Sequence, residues 1–496
     1  MRMHRILTAL LLLLGLAVSA QAQQPAPTPA AQGTYLTPPA APMVPAGMAP
    51  AAPSPAVATP ATPAGTPAAL NPEDPLAGAE APIDLQAAVE RSLLFNPQIE
   101  SARFQLSGSE YGRKSALGAM GPSATTSYGY TRHDRPTVSS TSGRVSVARD
   151  QWIYSLNVTQ PIFHGFALLS AYQKAKLAKE QAKAQLDNAE LILIQTVQDS
   201  FLQLLQARMD VKSSEDSVAR LRSQLQVTQA FYDVGLKPKL DVLQAEVDLA
   251  TAEQQLLTAK NSVATQTAQL NTLIGLPLEY PARYVGELTY IPFQRTLDDC
   301  LARAYTKRPD LEIGRKSVEM AQKDAKIAAG TFYPNVDASY DYSQTGDTPR
   351  ADGTSSYSKY ASEWSVGAKA TWNFFSSGKD FNAYEQAKET VAKVEADLAD
   401  TRLNAGFSVK QDLLDLQVAS DRISVAKKSI AAAQEGYRMA VARYQAQVGT
   451  NTEVLDAQSR LSSAEFQLSS ALADYQRALS RLYVAMGERN LALSMQ

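Results

Sequence analysis

Residues 152–159 read Trp-Ile-Tyr-Ser-Leu-Asn-Val-Thr, and 212 positions later residues 364–371 read Trp-Ser-Val-Gly-Ala-Lys-Ala-Thr. Trp152, Tyr154, Leu156 and Val158 interleave with Ile153, Ser155, Asn157 and Thr159. In the second stretch Trp364, Val366, Ala368 and Ala370, continuing to Trp372 and Phe374, interleave with Ser365, Gly367, Lys369 and Thr371. A period of two is the strand period, and runs of about 10 residues with aromatics near their ends are expected of outer-membrane strands between interfacial girdles. A weaker alternation carries Tyr128 and Tyr130 in one place and Tyr340 and Tyr342 in the other. Strands are therefore expected at about 123–132, 151–162, 335–343 and 363–375. Tyr128, Tyr130, Trp152, Trp364, Trp372 and Phe374 are the candidate interface aromatics. On alternation alone, the edge of a soluble sandwich reads the same way.

The offset of 212 recurs well beyond these runs, pairing Pro122 with Pro334, Tyr172 with Tyr384, Tyr232 with Tyr444 and Gly275 with Gly487. An internal repeat has to be read before any local motif, and this period is far too long for a solenoid. Each copy is a whole structural unit, expected at 83–280 and 296–490 with a linker at 281–295 and a short tail at 491–496. Each opens with a helical stretch interrupted at Asn96-Pro97 or Arg308-Pro309, because the residue before proline is driven out of the α region. Each opening stretch stops at Gly121-Pro122 or Tyr333-Pro334, where proline cannot continue a helix. Polar stretches at about 132–149 and 344–362 read as long exposed hairpin loops.

After the strands, no Pro or Gly interrupts the chain from about Ala167 to Ala230. Val197, Leu204, Val211, Val218, Leu225 and Tyr232 recur every seven residues, and Val409, Leu416, Ile423, Ile430, Tyr437 and Tyr444 keep that register in the second copy. A sustained seven-residue apolar repeat holds one seam against a partner helix and demands left-handed supercoiling. A turn follows at Gly235 or Gly449, and a shorter heptad helix returns to Gly275 or Gly487. The opening and returning helices, placed end to end, match the long one in length.

The ends and the composition bound the function. Arg2, His4 and Arg5, an apolar run from Ile6 to Val18 and then Ala20-Gln21-Ala22 form a secretory signal, expected at 1–22. Residues 23–82 carry 16 of the 27 prolines and much alanine, a composition that cannot bury a core and reads as a disordered or semi-stiff linker. Net charge is −2 with no basic block, which argues against nucleic acid as partner. One cysteine, Cys300, forms neither an internal disulfide nor a metal cluster, and it stands where the other copy has Ala88. Three histidines, scattered at His4, His133 and His164, offer no metal set and no base beside a nucleophile. The reading is of a protein with no catalytic, cofactor or metal site.

Four strands per chain cannot close. The smallest transmembrane barrels need about eight, and open sheet edges are not tolerated in lipid. Several chains must then share one barrel, with the heptad helices continuing below it as a tube. A coiled-coil envelope protein of structural or adhesive type is the alternative; it accounts for the heptads and the signal but leaves the paired hairpins unexplained.

From Ile83 to about Asn490 the chain resembles the TolC-like outer-membrane efflux proteins. The resemblance rests on the duplicated order of helix, strand, strand, long helix, turn and helix. It rests also on Asn96-Pro97, Arg308-Pro309-Asp310, Tyr333-Pro334, and the run from Arg443-Tyr444 through Val448-Gly449-Thr450 to Val454-Leu455-Asp456-Ala457-Gln458. The resemblance implies a mainly helical homotrimer in the cell outer membrane, with a shared 12-stranded β-barrel and a coiled-coil α-helical tunnel in the periplasm. It implies a passive exit duct for efflux or type I secretion, lodged in outer-membrane lipid. The implied partners are a periplasmic adaptor protein and an inner-membrane transporter of RND, ABC or MFS type. By the same resemblance the closed end lies at the hairpin turns, with Asp241, Glu453, Asp456, Tyr232 and Tyr444 at the constriction. Gly235, Lys237, Lys239, Gln447, Gly449 and Thr450 fall at the turns where an adaptor docks. Two departures stand out: Gln447 replaces the glycine that the first copy keeps as Gly235, and no basic residue occupies the second turn. A solvated helix start reads the acidic residues equally well, since carboxylates favour a helix N-terminus.

Overall fold

The computed structural model describes residues 82–139, 145–353 and 362–493. The expected signal, the linker up to residue 81 and residues 494–496 of the tail lie outside the described residues. In the first copy, α1 (Leu85–Phe95) and α2 (Pro97–Gly118) precede β1 (Ser123–Arg132) and β4 (Asp150–His164). The long α3 (Ala167–Asp233) and the returning α4 (Lys239–Leu273) come next. The second copy repeats the order with α5 (Leu297–Lys307), α6 (Pro309–Ala329), β5 (Asn335–Gly346), β6 (Ser362–Thr371), α7 (Lys379–Gln445) and α8 (Asn451–Ala485). Both long helices have 67 residues and both returning helices 35, at positions 212 apart.

The strands form one antiparallel sheet in the order β1-β4-β5-β6. Its register sorts side chains by face, because directly opposed residues point the same way. Thr126, Leu156, Tyr342 and Trp364 stand in one row across the sheet, and Ala124, Val158, Tyr340 and Val366 in the next row on that face. The other face carries Thr125, Asn157, Asp341 and Ser365 in one row and Ser127, Ser155, Ser343 and Glu363 in another. There Ser127 and Ser155 hydrogen-bond at 2.7 Å, and the Asn157 amide donates to the Asp341 carboxylate. Among the described residues, β1 and β6 each have a neighbouring strand on one side only.

Two details differ from the sequence reading. The stretch expected as a loop between β1 and β4 holds a short ribbon, β2 (Thr137–Val138) paired with β3 (Val145–Val147). β6 ends at Thr371, so Trp372 and Phe374 lie beyond the strand, both well exposed; the Trp372 indole donates to the Phe332 carbonyl at 3.2 Å. Trp152 sits under both Tyr128 and Tyr130, at ring distances of 5.5 and 4.5 Å.

The half-length helices are pinned end to end beside the long ones by one device used twice. Asn96 caps α2 by accepting from the Gln98 amide, and its own amide donates to the Leu273 carbonyl at the end of α4, 3.0 Å away. Its counterpart Arg308 donates to the Ala485 carbonyl at the end of α8, 3.2 Å away, and to Ser408. These bonds satisfy carbonyls that a helix end leaves open. The two large apolar clusters sit at this level. One gathers Val89, Ile99, Ile194, Val197, Phe201, Leu204, Leu270 and Tyr284, and the other Cys300, Val409, Leu416, Ile423, Tyr475 and Leu482. Towards the turns the core thins to Val218, Leu221 and Ala252 with Leu249, Leu256 and Leu455 against them.

Candidate functional site

Between those clusters and on towards the turns the seam between the two hairpins is polar. α3 meets α8 through a ladder of side-chain hydrogen bonds. Ser480 donates to Gln198 and Ser469 to Asp210, while Gln458 and Ser462 reach Ser217 at 3.1 and 3.2 Å. Arg220 donates to Gln458 at 2.8 Å and forms a two-pronged ion pair with Glu465, closest approach 2.9 Å. Burial pushes the Asp210 carboxyl above its ordinary value, with the Ser469 hydroxyl opposing.

The ladder ends at the turns in a buried knot. Tyr444 is fully buried, donates to the Thr228 hydroxyl at 3.1 Å and faces the Phe231 ring at 5.6 Å. Asn451, also buried, accepts from Gln224 at 2.9 Å and donates to the Asp241 carbonyl at 3.0 Å. The Lys237 ammonium lies 5.2 Å over the Tyr444 ring and donates to the Gly449 carbonyl at 3.4 Å. A cation over an aromatic face and a set of satisfied buried amides hold the two turns together without a buried unpaired charge. Burial raises the Tyr444 phenol, Thr228 opposing and Asp241 adding.

The structure brings Tyr444, Asp241, Lys237 and Gly449 into this knot and leaves Tyr232 outside it, 39% exposed. Glu453 is an exposed first-turn residue of α8, capped by the Thr450 hydroxyl and paired with Arg443 at 3.4 Å. Asp456 is exposed and faces Asp248, whose carboxyl is raised by burial first and by Asp456 second. Lys239, Gly235 and Gln447 lie on the exposed rim; Gly235 and Gln447 both adopt left-handed backbone, at φ 76° and 64°. Gln224, Thr228, Asn451 and Asp248 were not among the sequence candidates. For two of them the signal was present: Asp210, Ser217 and Gln224 recur every seven residues on α3, a polar heptad beside the apolar one, and Asp248 comes seven residues after Asp241, whereas Thr228 and Asn451 stand in neither series. No group of three or more His, Cys, Asp or Glu that could hold a metal occurs among the described residues.

An amphipathic sheet with two open edges, continued by long paired hairpins tied to each other at their turns by hydrogen bonds, is the framework of a membrane-anchored channel subunit. The chain belongs to the outer membrane efflux protein family, whose model matches residues 88–276 and 300–488, one match in each copy. It is 24% identical over 383 residues to the outer membrane efflux protein BepC of Brucella suis, covering 76% of this chain and 79% of that one. It is 23% identical over 347 residues to the alkaline protease secretion protein AprF of Pseudomonas aeruginosa, covering 67% and 69%. Among solved structures, the outer membrane protein VceC of Vibrio cholerae superimposes with a TM-score of 0.70 at 18% identity, covering 82% of this chain and 96% of that one. The fold is that of the TolC-like channels, which trimerise into a barrel. The protein is an outer-membrane channel of efflux and secretion type, seated in the cell outer membrane and extending into the periplasm.

Proposed function

We propose that three copies pair β6 of one with β1 of the next to close a twelve-stranded barrel, three times the four strands of one sheet, and that the duct is shut at the hairpin turns by the Tyr444 and Asn451 knot. The edges support the closure: in lipid an unpaired strand edge costs several kcal/mol per orphaned group, about what a neighbouring chain would recover. The observation that carries the gate is the full burial of Tyr444 against Thr228 and Phe231 at the point where the two hairpins end.

In a trimer Asp241, Glu453 and Asp456 repeat three times around the constriction and focus a negative potential that favours cations. Gly235, Lys239, Gln447 and Thr450 are exposed on the rim where a periplasmic adaptor docks, with Lys237 and the buried Gly449 just inside them at the knot, and an inner-membrane transporter of RND, ABC or MFS type supplies the energy. Separating the turns then means exchanging hydrogen bonds with water, at about 0.5–1.5 kcal/mol each. The test is conductance in planar bilayers. Asp241→Ala with Glu453→Ala is expected to lower the cation preference of whatever current the channel passes; unchanged selectivity would remove the acidic ring, and absence of any pore even after the knot is loosened by Gln224→Ala with Asn451→Ala would remove the duct.

A further inference from the structure

The polar face of the sheet, which lines the interior of the barrel, carries its charge unevenly. At the tunnel end Asp337 stands directly across the β5–β6 pair from Lys369 and hydrogen-bonds the His164 imidazole at 2.8 Å, so charge of both signs meets there. The next row outwards, Ser123, Thr159, Ser339 and Gly367, is uncharged. The two rows beyond it carry Asp341 and Glu363 among serines, a threonine and an asparagine, and no cation. Arg132, at the outer end of β1, stands on the opposite face, 3.7 Å from Asp150.

Asp341 is held in place, because its carboxylate accepts from the Asn157 amide across the β4–β5 pair and from the Ser339 hydroxyl at 3.0 Å. Glu363 lies one row further out, about 7 Å along the strands at about 3.4 Å per residue. That is within the Debye length of about 8 Å at physiological salt, so the two carboxylates of each copy act as one belt. The Asp337 row, about 14 Å from Asp341, is screened from it. A barrel of twelve strands about 4.8 Å apart and tilted by about 40° is roughly 24 Å across between backbones. Side chains that reach inwards by about 4 Å bring its axis within about 8 Å of a carboxylate, so an ion on the axis still feels the belt.

We propose that Asp341 and Glu363 form a charge filter inside the barrel, which favours cationic cargo and resists anionic cargo independently of the acidic residues at the turns. Asp241 and Glu453 sit on tips that stand further apart in a wide duct, and their hold on a passing ion falls with that distance. The belt sits on strands whose spacing is set by backbone hydrogen bonds, so its radius is the same whether the turns are together or apart. The turns thus govern charge preference while the duct is narrow there, and the barrel governs it once the duct is wide. The inference rests on the channel reading above.

The experiment measures the reversal potential under a potassium chloride gradient in planar bilayers, on the channel loosened by Gln224→Ala with Asn451→Ala. Each variant is compared at a parent-like yield of heat-modifiable trimer. The loosened channel is expected to prefer potassium over chloride severalfold. Glu363→Lys, at an exposed position that takes no part in the Asn157–Asp341 contact, should bring the two ions level or favour chloride. Asp341→Asn with Glu363→Gln should remove most of the preference. Both effects should fade as salt rises from about 0.1 to 1 M and the screening length drops from about 10 to about 3 Å. Asp241→Ala with Glu453→Ala in the same background should leave most of the preference in place. A preference that survives Glu363→Lys overturns the filter, and so does one abolished by the turn pair alone. Loosened protein that carries no current overturns the channel reading and this inference with it.

Discussion

Tyr232 and Tyr444 occupy the same place in the two copies, yet the second is sealed inside the knot and the first is left at the surface. The difference lies in how each returning helix begins: Asn451 starts α8 with a side chain that reaches Gln224 and the Asp241 carbonyl, where α4 starts with Lys239. A second residue-scale feature lies far from the knot. Asp412, on α7 in the cleft with Arg308 and Arg481, is pushed up to about 6, by burial first, with Arg481 and Arg308 opposing and Asp415 adding. Its unfolded value is about 3.9. The folded chain thus binds the proton more tightly, and that stability is complete below about pH 4 and is lost as pH rises through about 6. Asp412→Asn mimics the protonated group. It should raise the melting temperature at pH 7.5, with the gap closing by pH 4 in circular dichroism melts; an equal gap at both pH values would refute the assignment.

At the scale of elements, the turns and joints obey local chemistry closely. Gly235 takes left-handed backbone at the end of α3 without steric cost, whereas Gln447 takes the same conformation with a side chain attached. That costs about 1 kcal/mol. Gln447→Gly is therefore expected to stabilise the second turn by about that amount, read as a rise in melting temperature, while Gly235→Ala lowers it. The strand-to-helix joints repeat the theme, with Gly165-Phe166 and Ser377-Gly378 each placing two successive residues at positive φ. In the first joint a Cβ on Gly165 would strike the Gly330 carbonyl oxygen. Most of this architecture was legible, because Pro97, Pro309 and the heptads of Val197 and Val409 each encode a boundary or a face. Three things were not. The β2–β3 ribbon is too short for a period to register. The end of β6 at Thr371 breaks an alternation that runs on to Phe374. The ladder was hidden because apolar periodicity points to what packs, and a polar heptad looks like a solvated face until its partner helix is in place.

For the whole molecule, the two faces of the sheet fix which side meets lipid. Val366 stands in the row with Ala124, Val158 and Tyr340, and its neighbour Ser365 in the row with Thr125, Asn157 and Asp341. A lysine on the lipid side of a barrel costs about 2–4 kcal/mol near the bilayer centre. Val366→Lys should sharply reduce heat-modifiable trimer recovered from outer membranes, and Ser365→Lys should leave it near the parent level. Equal loss from both would assign the faces wrongly.

The distribution of the apolar clusters has a mechanical consequence. They grip α3 no lower than Leu205, apart from the small group around Val218 and Leu221, and α3 then runs on to Asp233. That overhang is roughly 40 Å at 1.5 Å per residue. The first hairpin is thus a lever clamped at one end, and a tilt of about 5° at the clamp carries its tip roughly 3.5 Å by the same geometry; the second, gripped as low as Ala426, is a shorter one. In the proposed trimer an aperture ringed by six such tips can widen by several ångströms while the side chains at the clamp stay in their wells, so the proposed gate and folding stability draw on different parts of the chain.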